Sequence, residues 1–364
     1  MAEHESELKA SSDAIRPMLI LDADSFRRNS IFLEHFFVAL TDESIQTAMI
    51  CPPDCDTGAI LSPAIDVITH PACQIPLLLW RFNRDRLMER VEKFAPTVLH
   101  CISREQIALT RRIASIFNVP YLLSMRGMDK FGRADVADPL CAGVVVPCAS
   151  IRNHVARMYP ALAARIEQIE AGAFVEDTCA CFAKPQRLAS MIVVRPLNHA
   201  KDFEPLLYAL KHLAIDRHEF VAAIIGSGRA ESQVRKMVRE MGLSQIVNIV
   251  PDFNSLRDVF AESDIYIQPR PLNAFSVPLL EAMSVGMAVA GCKGGIDDLL
   301  IEDRTAVLFN PDDHLSIYAR LQQLLDDRTG AQQLACSAQS YLRQHHRVSK
   351  MMTGLIAAYR RTVR

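Results

Sequence analysis

Short apolar runs alternate with segments of helical period along almost the whole chain. MLILDAD (18–24), IQTAMI (45–50), DVITH (66–70), TVLHCI (97–102), PYLLSM (120–125), AGVVVP (142–147) and IEQIEAG (166–172) read as strands. Several are apolar at every position, as parallel strands covered on both faces should be. Residues 29–41 place Ile31, Phe32, His35, Phe36 and Ala39 on one side of a helix. A second helix is expected over 104–117, after Ser103, with Glu105 and Gln106 in its first turn. The second half repeats the design. SMIVVR (190–195), FVAAIIGSG (220–228), IVNIVP (246–251), DIYIQP (264–269) and MAVAG (287–291) form the strand series. Between them, AESQVRKMVREMGL puts Val234, Met237, Val238 and Met241 at i, i+3, i+4 and i+7, and Gly242 closes the helix. Strands alternating with helices of this length mean βαβ units and parallel sheets. The chain is therefore expected to be α/β, with two doubly wound Rossmann-like domains over 17–180 and 190–345 and a linker at 181–189. Ligands of such sheets bind beyond the carboxyl ends of the strands, so a central cleft faced by both domains is the expected site.

Composition narrows the class. The 364 residues suit two domains, and half of them are hydrophobic. Forty basic and 42 acidic residues are interspersed, for a net charge of −2, with no basic stripe of the kind that neutralises nucleic acid. The ten cysteines fall well below the density of a disulfide scaffold. Neither close pair, Cys51/Cys55 or Cys179/Cys181, has a partner pair at zinc spacing, so no metal and reduced thiols are expected. The N-terminus MAEHESELKASSDAIRP is acidic and polar, unlike a signal peptide, and the longest fully apolar stretch of note, IPLLLW, is too short to span a membrane. Both features suggest a soluble, cytoplasmic protein, and neither excludes peripheral membrane contact.

One stretch carries candidate chemistry. NAFSVPLLEAM (273–283) begins a helix at Ser276 or Val277, with Pro278 in the first turn, where its missing N–H costs nothing. Glu281 then lies one turn in. Its carboxylate can accept two ribose hydroxyl bonds while backbone N–H groups ahead of it, around Ala274, Phe275 and Ser276, face phosphate oxygens. Taken alone, Glu281 is equally a first-turn acid favoured by the helix dipole. Asn273 on the preceding loop can bond a sugar hydroxyl.

The segment SDIYIQPRPLNAFSVPLLEAMSVGMAVAGCKGGIDDLLIEDRTAVLFNPDD resembles the nucleotide-sugar segment of the family 4 glycosyltransferases, which have the two-Rossmann GT-B fold. Glu281 matches the second acid of the family's pattern of two acids with seven residues between them, and Gly294 and Gly295 match its glycine turn. Asn273 replaces the first acid, which in the family contacts the donor sugar's hydroxyls. VVRPLNHAKDFEPLLYAL resembles the strand-end segment that supplies an arginine and a lysine, here Arg195 and Lys201, although the spacing is one residue longer and Asp202 stands where glycine is usual. Such cations can neutralise a departing diphosphate; out of context either is an ordinary surface cation. Gly226 and Gly228 match a glycine turn on the nucleotide side, a pattern that a plain tight turn shares. In the first half, His100 and the Gly127/Asp129 pair match, and Arg126 sits where histidine is usual, as a ligand for a phosphate or acidic sugar group or as a surface arginine. The loop after the first strand, DADSFRRNS, lacks the family's glycine pair. In that fold the last helix, 346–364, returns to the N-terminal domain.

The resemblance implies a retaining, metal-independent hexosyltransferase-like enzyme with no cofactor. It would move a sugar from a nucleotide-diphosphate donor to a glycan or lipid-linked acceptor in polysaccharide or glycoconjugate synthesis, at the inner face of a membrane. Arg195, Lys201 and Glu281 would be its catalytic set. Asn273 and the altered first loop motivate a second reading, a non-catalytic GT-B protein that binds a nucleotide sugar or a partner. A nicotinamide oxidoreductase is disfavoured, because no G-x-G-x-x-G opens a helix after the first strand.

Overall fold

A computed structural model describes residues 15–363 except 29, 56, 58–64, 72–83, 129, 131, 133–136, 185–186 and 253–255. The IPLLLW stretch and Asp129 lie outside the described residues. The chain divides into two compact units. Residues 1–172 with 348–364 form the first, and 173–347 the second. Residues 181–189, where the sequence suggests a linker, fall within the second unit.

In the first unit the strands are β1 (Pro17–Ile20), β2 (Thr47–Cys51), β3 (Ile65–Thr69), β4 (Val98–Cys101), β5 (Tyr121–Ser124), β6 (Cys141–Val146) and β7 (Ile166–Gln168). They make one parallel sheet in the order β3-β2-β1-β4-β5-β6-β7. The expected strand at 166–172 stops at Gln168, and the chain reaches the second unit five residues later, at Ala173. The helices are α1 (Ala23–Arg28), α2 (Ser30–Asp42), α3 (Arg84–Phe94), α4 (Ile107–Phe117) and α5 (Ala149–Met158). A one-turn 3-10 segment at Arg104–Gln106 precedes α4, and Asn118 ends α4 in the left-handed region, which Asn tolerates. DADSFRRNS is thus mostly the short helix α1, initiated where Asp22 Oδ1 accepts from Ser25 N at 2.7 Å.

The second unit holds β8 (Ala189–Val194), β9 (Phe220–Ile225), β10 (Val247–Val250), β11 (Ile265–Gln268), β12 (Ala288–Cys292) and β13 (Val307–Phe309). Its parallel sheet runs β10-β9-β8-β11-β12-β13. The helices are α6 (Glu204–Ile215), α7 (Glu231–Glu240), α8 (Arg257–Ala261), α9 (Val277–Ser284), α10 (His314–Asp326) and α11 (Arg328–His345). Alternation decides their seats. Ile265 and Ile267 of β11 join the core that includes Leu206, Leu210, Ile317 and Leu321. On the opposite side of that strand, Tyr266 stacks edge-on against Phe260 of α8. Asp264 ties the strand starts together, accepting from Phe182 N at 2.7 Å and Ser190 N at 2.7 Å.

Past Arg347 the chain rejoins the first unit as α12 (Val348–Val363). Its Val348, Met351, Met352, Leu355 and Tyr359 share a core with Leu33, Phe36 and Phe37 of α2. A spacing of three to four residues gives α12 one apolar stripe, and that stripe is what α2 covers.

In both sheets the strand order reverses at one point. In the first unit it lies between β1 and β4, and in the second between β8 and β11. At such points neighbouring strand-to-helix loops diverge and leave a crevice beyond the carboxyl ends.

Candidate functional site

The second unit's crevice is built from four loops. Arg195 ends β8, and its backbone N–H continues the ladder to Ile225 O at 3.0 Å. Its Nη2 donates to Asp202 Oδ2 at 3.0 Å, and the two side chains are 17% and 28% exposed. Asp202 and Lys201 belong to a 3-10 turn, Ala200–Asp202, in which Lys201 is exposed. The backbone of that turn is gripped by a residue the sequence reading passed over. Arg270, just past β11, donates Nε to Asp202 O and Nη2 to Lys201 O, both at 3.3 Å, and pairs with Asp312 through Nη1. Its signal was present in QPRPL, a cation at a strand's carboxyl end. Arg195, Lys201 and Arg270 are thereby brought together at the switch point of the sheet.

Buried neighbours register the cations. Burial pushes the Cys292 thiol at the end of β12 up to about 11, against the opposing pull of Arg195 and Arg270. Burial raises the Tyr266 phenol well above its usual range, although a hydrogen bond with Ser276 and the charge of Arg195 act the other way.

Gly226 and Gly228 serve the approach of two loops. An added Cβ at Gly226 would sit 2.0 Å from Arg195 O, and at Gly228 2.5 Å from Leu197 O. The loops are held by Leu197 N–H to Ser227 O at 3.0 Å and Ala230 N–H to Leu197 O at 2.8 Å. Gly294 and Gly295 have φ of 106° and 70°. A Cβ on Gly295 would meet Leu272 O at 2.2 Å, the same oxygen that accepts from Ile296 N at 2.7 Å. The glycine turn thus fixes the loop that carries Asn273.

At the start of α9, Asn273 and Ala274 are exposed, whereas Phe275 and Ser276 are buried. Ser276 caps the helix, accepting from Leu279 N at 3.2 Å, and Pro278 occupies the first turn. Glu281 lies one turn in but is wholly buried. Its Oε2 accepts from Arg257 Nη1 at 2.9 Å, and Arg257 also donates to Glu176 and to Phe174 O at 2.9 Å. Burial disfavours the Arg257 charge, yet Glu176 and Glu281 outweigh it and hold the guanidinium above its ordinary value. The sequence reading missed Arg257, because nothing in a polar helix start marks it as the partner of an acid 24 residues on. Glu281 thus pairs with the Arg257 guanidinium at the start of α8.

In the first unit Arg126 follows β5, beside a buried Gly127. Its guanidinium carbon lies 4.2 Å over the ring of Phe32. His100 of β4 is buried at 1% exposure, with Nδ1 2.7 Å from the Tyr359 hydroxyl and Nε2 2.9 Å from Ser124 Oγ. Among the described residues no group of three or more His, Cys, Asp or Glu is placed to hold a metal ion, and no helix is long and apolar enough to cross a membrane.

Known proteins resemble this arrangement. Residues 182–341 match the family described as Glycosyl transferases group 1. Sulfoquinovosyl transferase SQD2 of Arabidopsis thaliana is 23% identical over 275 residues, which are 67% of this chain and 52% of that protein. The chain therefore spans about half the length of this curated relative. Among solved structures, a glycosyltransferase from Rickettsia africae superposes with a TM-score of 0.77 at 14% identity, covering 96% of this chain and 99% of the other. HepE of Anabaena, solved in complex with UDP-glucose, superposes at 0.75 with 13% identity, covering 94% and 98%. Residues 182–341 of the second unit are thus similar to the group 1 glycosyl transferases, and the two parallel-sheet α/β domains have the fold of GT-B glycosyltransferases.

Proposed function

We propose that the chain is a retaining glycosyltransferase of the family 4 type that moves a sugar from a nucleotide-diphosphate donor to an acceptor hydroxyl, without a metal. The observation that carries this reading is the convergence of Arg195, Lys201 and Arg270 at the switch point of a group 1 domain. As the glycosidic bond breaks, negative charge accumulates on the diphosphate. Guanidinium groups held at a crevice, with an ammonium on the adjoining turn, favour that state over the intact donor, which is how electrostatic placement lowers a barrier. The cations take the part that a metal plays in other phosphate sites. No protein nucleophile is required. The acceptor oxygen enters on the face the diphosphate leaves, and orientation supplies the rest of the rate gain. HepE is described in complex with UDP-glucose, which supports a uridine nucleotide sugar as donor here.

The N–H groups at the start of α9 face the diphosphate in this scheme, and Glu281 receives the ribose hydroxyls after exchanging partners with Arg257. Work on glycan or lipid-linked acceptors, in the cytoplasm and at a membrane surface, follows from the same reading. The test is release of nucleotide from a donor panel by the whole chain. Arg195→Ala should lower kcat at least about a hundredfold, the scale of losing one transition-state donor, with a smaller change in KM.

Asn273 supports a second reading. An amide keeps hydrogen bonding but does not stabilise a cationic sugar centre as a carboxylate does. Saturable donor binding with no nucleotide release under any acceptor would establish a binding protein of the same fold and remove the enzymatic reading.

A further inference from the structure

The first unit holds a largely apolar pocket at the carboxyl ends of β4 and β5. Arg126, Ser124 and His100 are its polar lining, and Phe32, Ile169 and Leu355 are among its apolar walls. Nη2 of Arg126 is sealed from solvent and has no hydrogen-bond acceptor. Arg126 makes no ion pair with any described residue; its recorded neighbours are the Phe32 ring and the His100 imidazole. Burial lowers its pKa to about 10, which leaves it cationic at neutral pH.

Among the described residues the surroundings supply no counter-charge. Burial, then the charge of Arg126, lowers the His100 pKa to about 3, so the imidazole is neutral. A neutral imidazole offers one donor and one acceptor, and the Tyr359 and Ser124 hydroxyls take both. The Phe32 ring attracts the cation from 4.2 Å but supplies no hydrogen-bond acceptor to Nη2. A guanidinium held in apolar walls with an unmet donor and no carboxylate is incomplete without an anion, because unpaired buried charge is disfavoured.

We propose that this pocket binds an oxyanion, a carboxylate, sulfonate or phosphate, carried on a sugar-sized substrate, with Arg126 as the anion ligand and Ser124 beside it. Fork-like N–H geometry suits such groups and discriminates against a neutral hydroxymethyl at the same place. The anion site stands on the first unit's own residues. Only its assignment to a sugar rests on the transferase reading.

The experiment compares acidic and neutral partners of one shape with the whole chain, by calorimetric titration. The probes are UDP-glucuronate against UDP-glucose, and glucuronate or glucose 6-phosphate against glucose. The wild-type chain should prefer the acidic member of a pair at least tenfold. Arg126→Gln should abolish that preference, chiefly by weakening binding of the acidic member. Preference confined to the nucleotide-linked pair assigns the anion to the donor sugar, and preference among free sugars assigns it to the acceptor. Equal binding of both members by wild type, or undiminished preference in Arg126→Gln, overturns the proposal. The free-sugar arm needs no nucleotide, so the anion site can hold even if no donor is ever turned over. Should Arg126→Gln fail to fold, Arg126→Lys replaces it. Lysine keeps the charge but loses the fork, so the preference should fall at least threefold, and an unchanged preference there counts equally against the site.

Discussion

Asp202 is the residue whose chemistry most sharply separates this chain from the family it resembles. Glycine is usual at its position; here a carboxylate takes up one edge of Arg195 at 3.0 Å. In the proposed scheme a diphosphate must compete with that carboxylate for the same guanidinium, so part of the cation's attraction is spent before the donor arrives. Asp202→Asn keeps the side-chain shape and removes the competing charge. Nucleotide-diphosphate affinity should rise about threefold to tenfold, or roughly 1 kcal/mol, as read by titration calorimetry. The gain should shrink with added salt, because the pair is not fully buried. Unchanged affinity would mean that Arg195 does not meet the phosphates. Glu281 shows the opposite arrangement. Its position in LLEAM was visible in the sequence, but its buried pairing with Arg257 was not, because that contact joins α8 and α9 through tertiary packing.

Among the elements, the strand-to-helix loops position the site, and their glycines are set by distance. The turn after β9 lies against the backbone of Arg195, so that any side chain at Gly226 would overlap a carbonyl. Gly226→Ala should separate the two loops, lower stability by about 1–3 kcal/mol, the usual range for overpacking, and shift Arg195 away from its ladder partner Ile225. Denaturant unfolding measures the first effect and nucleotide titration the second. A variant with wild-type stability would show that the loops can part freely. The helix start at Ser276 was legible from SVPLLEAM because capping and proline placement are local. The short helix α1 was not, since six residues with one charged face carry too little periodicity to stand out. The strand β13 was similarly hidden, three residues long inside a segment read only for its likeness to a family.

For the molecule as a whole, α12 completes the first unit's core and buries Tyr359 against His100. His100 has its pKa lowered to about 3, well below an unfolded value near 6.5. Between those values the unfolded chain binds a proton that the folded chain refuses, so folded-state stability falls as the pH drops from about 6.5 toward 3. The slope from this group approaches about 1.4 kcal/mol per pH unit. Above about 6.5 both states are neutral there and the group adds no pH dependence. His100→Gln should flatten the acid limb of the first unit's stability curve, as followed by urea unfolding at a series of pH values. An unaltered limb in the variant would place the proton uptake elsewhere.

Periodicity along the chain carried the architecture. A strand apolar at every position must be covered on both faces, and a helix with one apolar stripe must cover something, so two doubly wound sheets follow from local pattern alone. Motif spacing likewise marked the loops bearing Arg195, Lys201 and Asn273 and the helix bearing Glu281. Folding decided which charges meet. Asp202 beside Arg195, Arg270 over the Lys201 turn, Arg257 over Glu281 and the unpaired edge of Arg126 all depend on where separate loops and helices come to rest. Hydrophobic burial is written in periods of two and 3.6 residues and can be read one segment at a time. An ion pair depends on a few ångströms between residues distant in sequence, and no period records that distance.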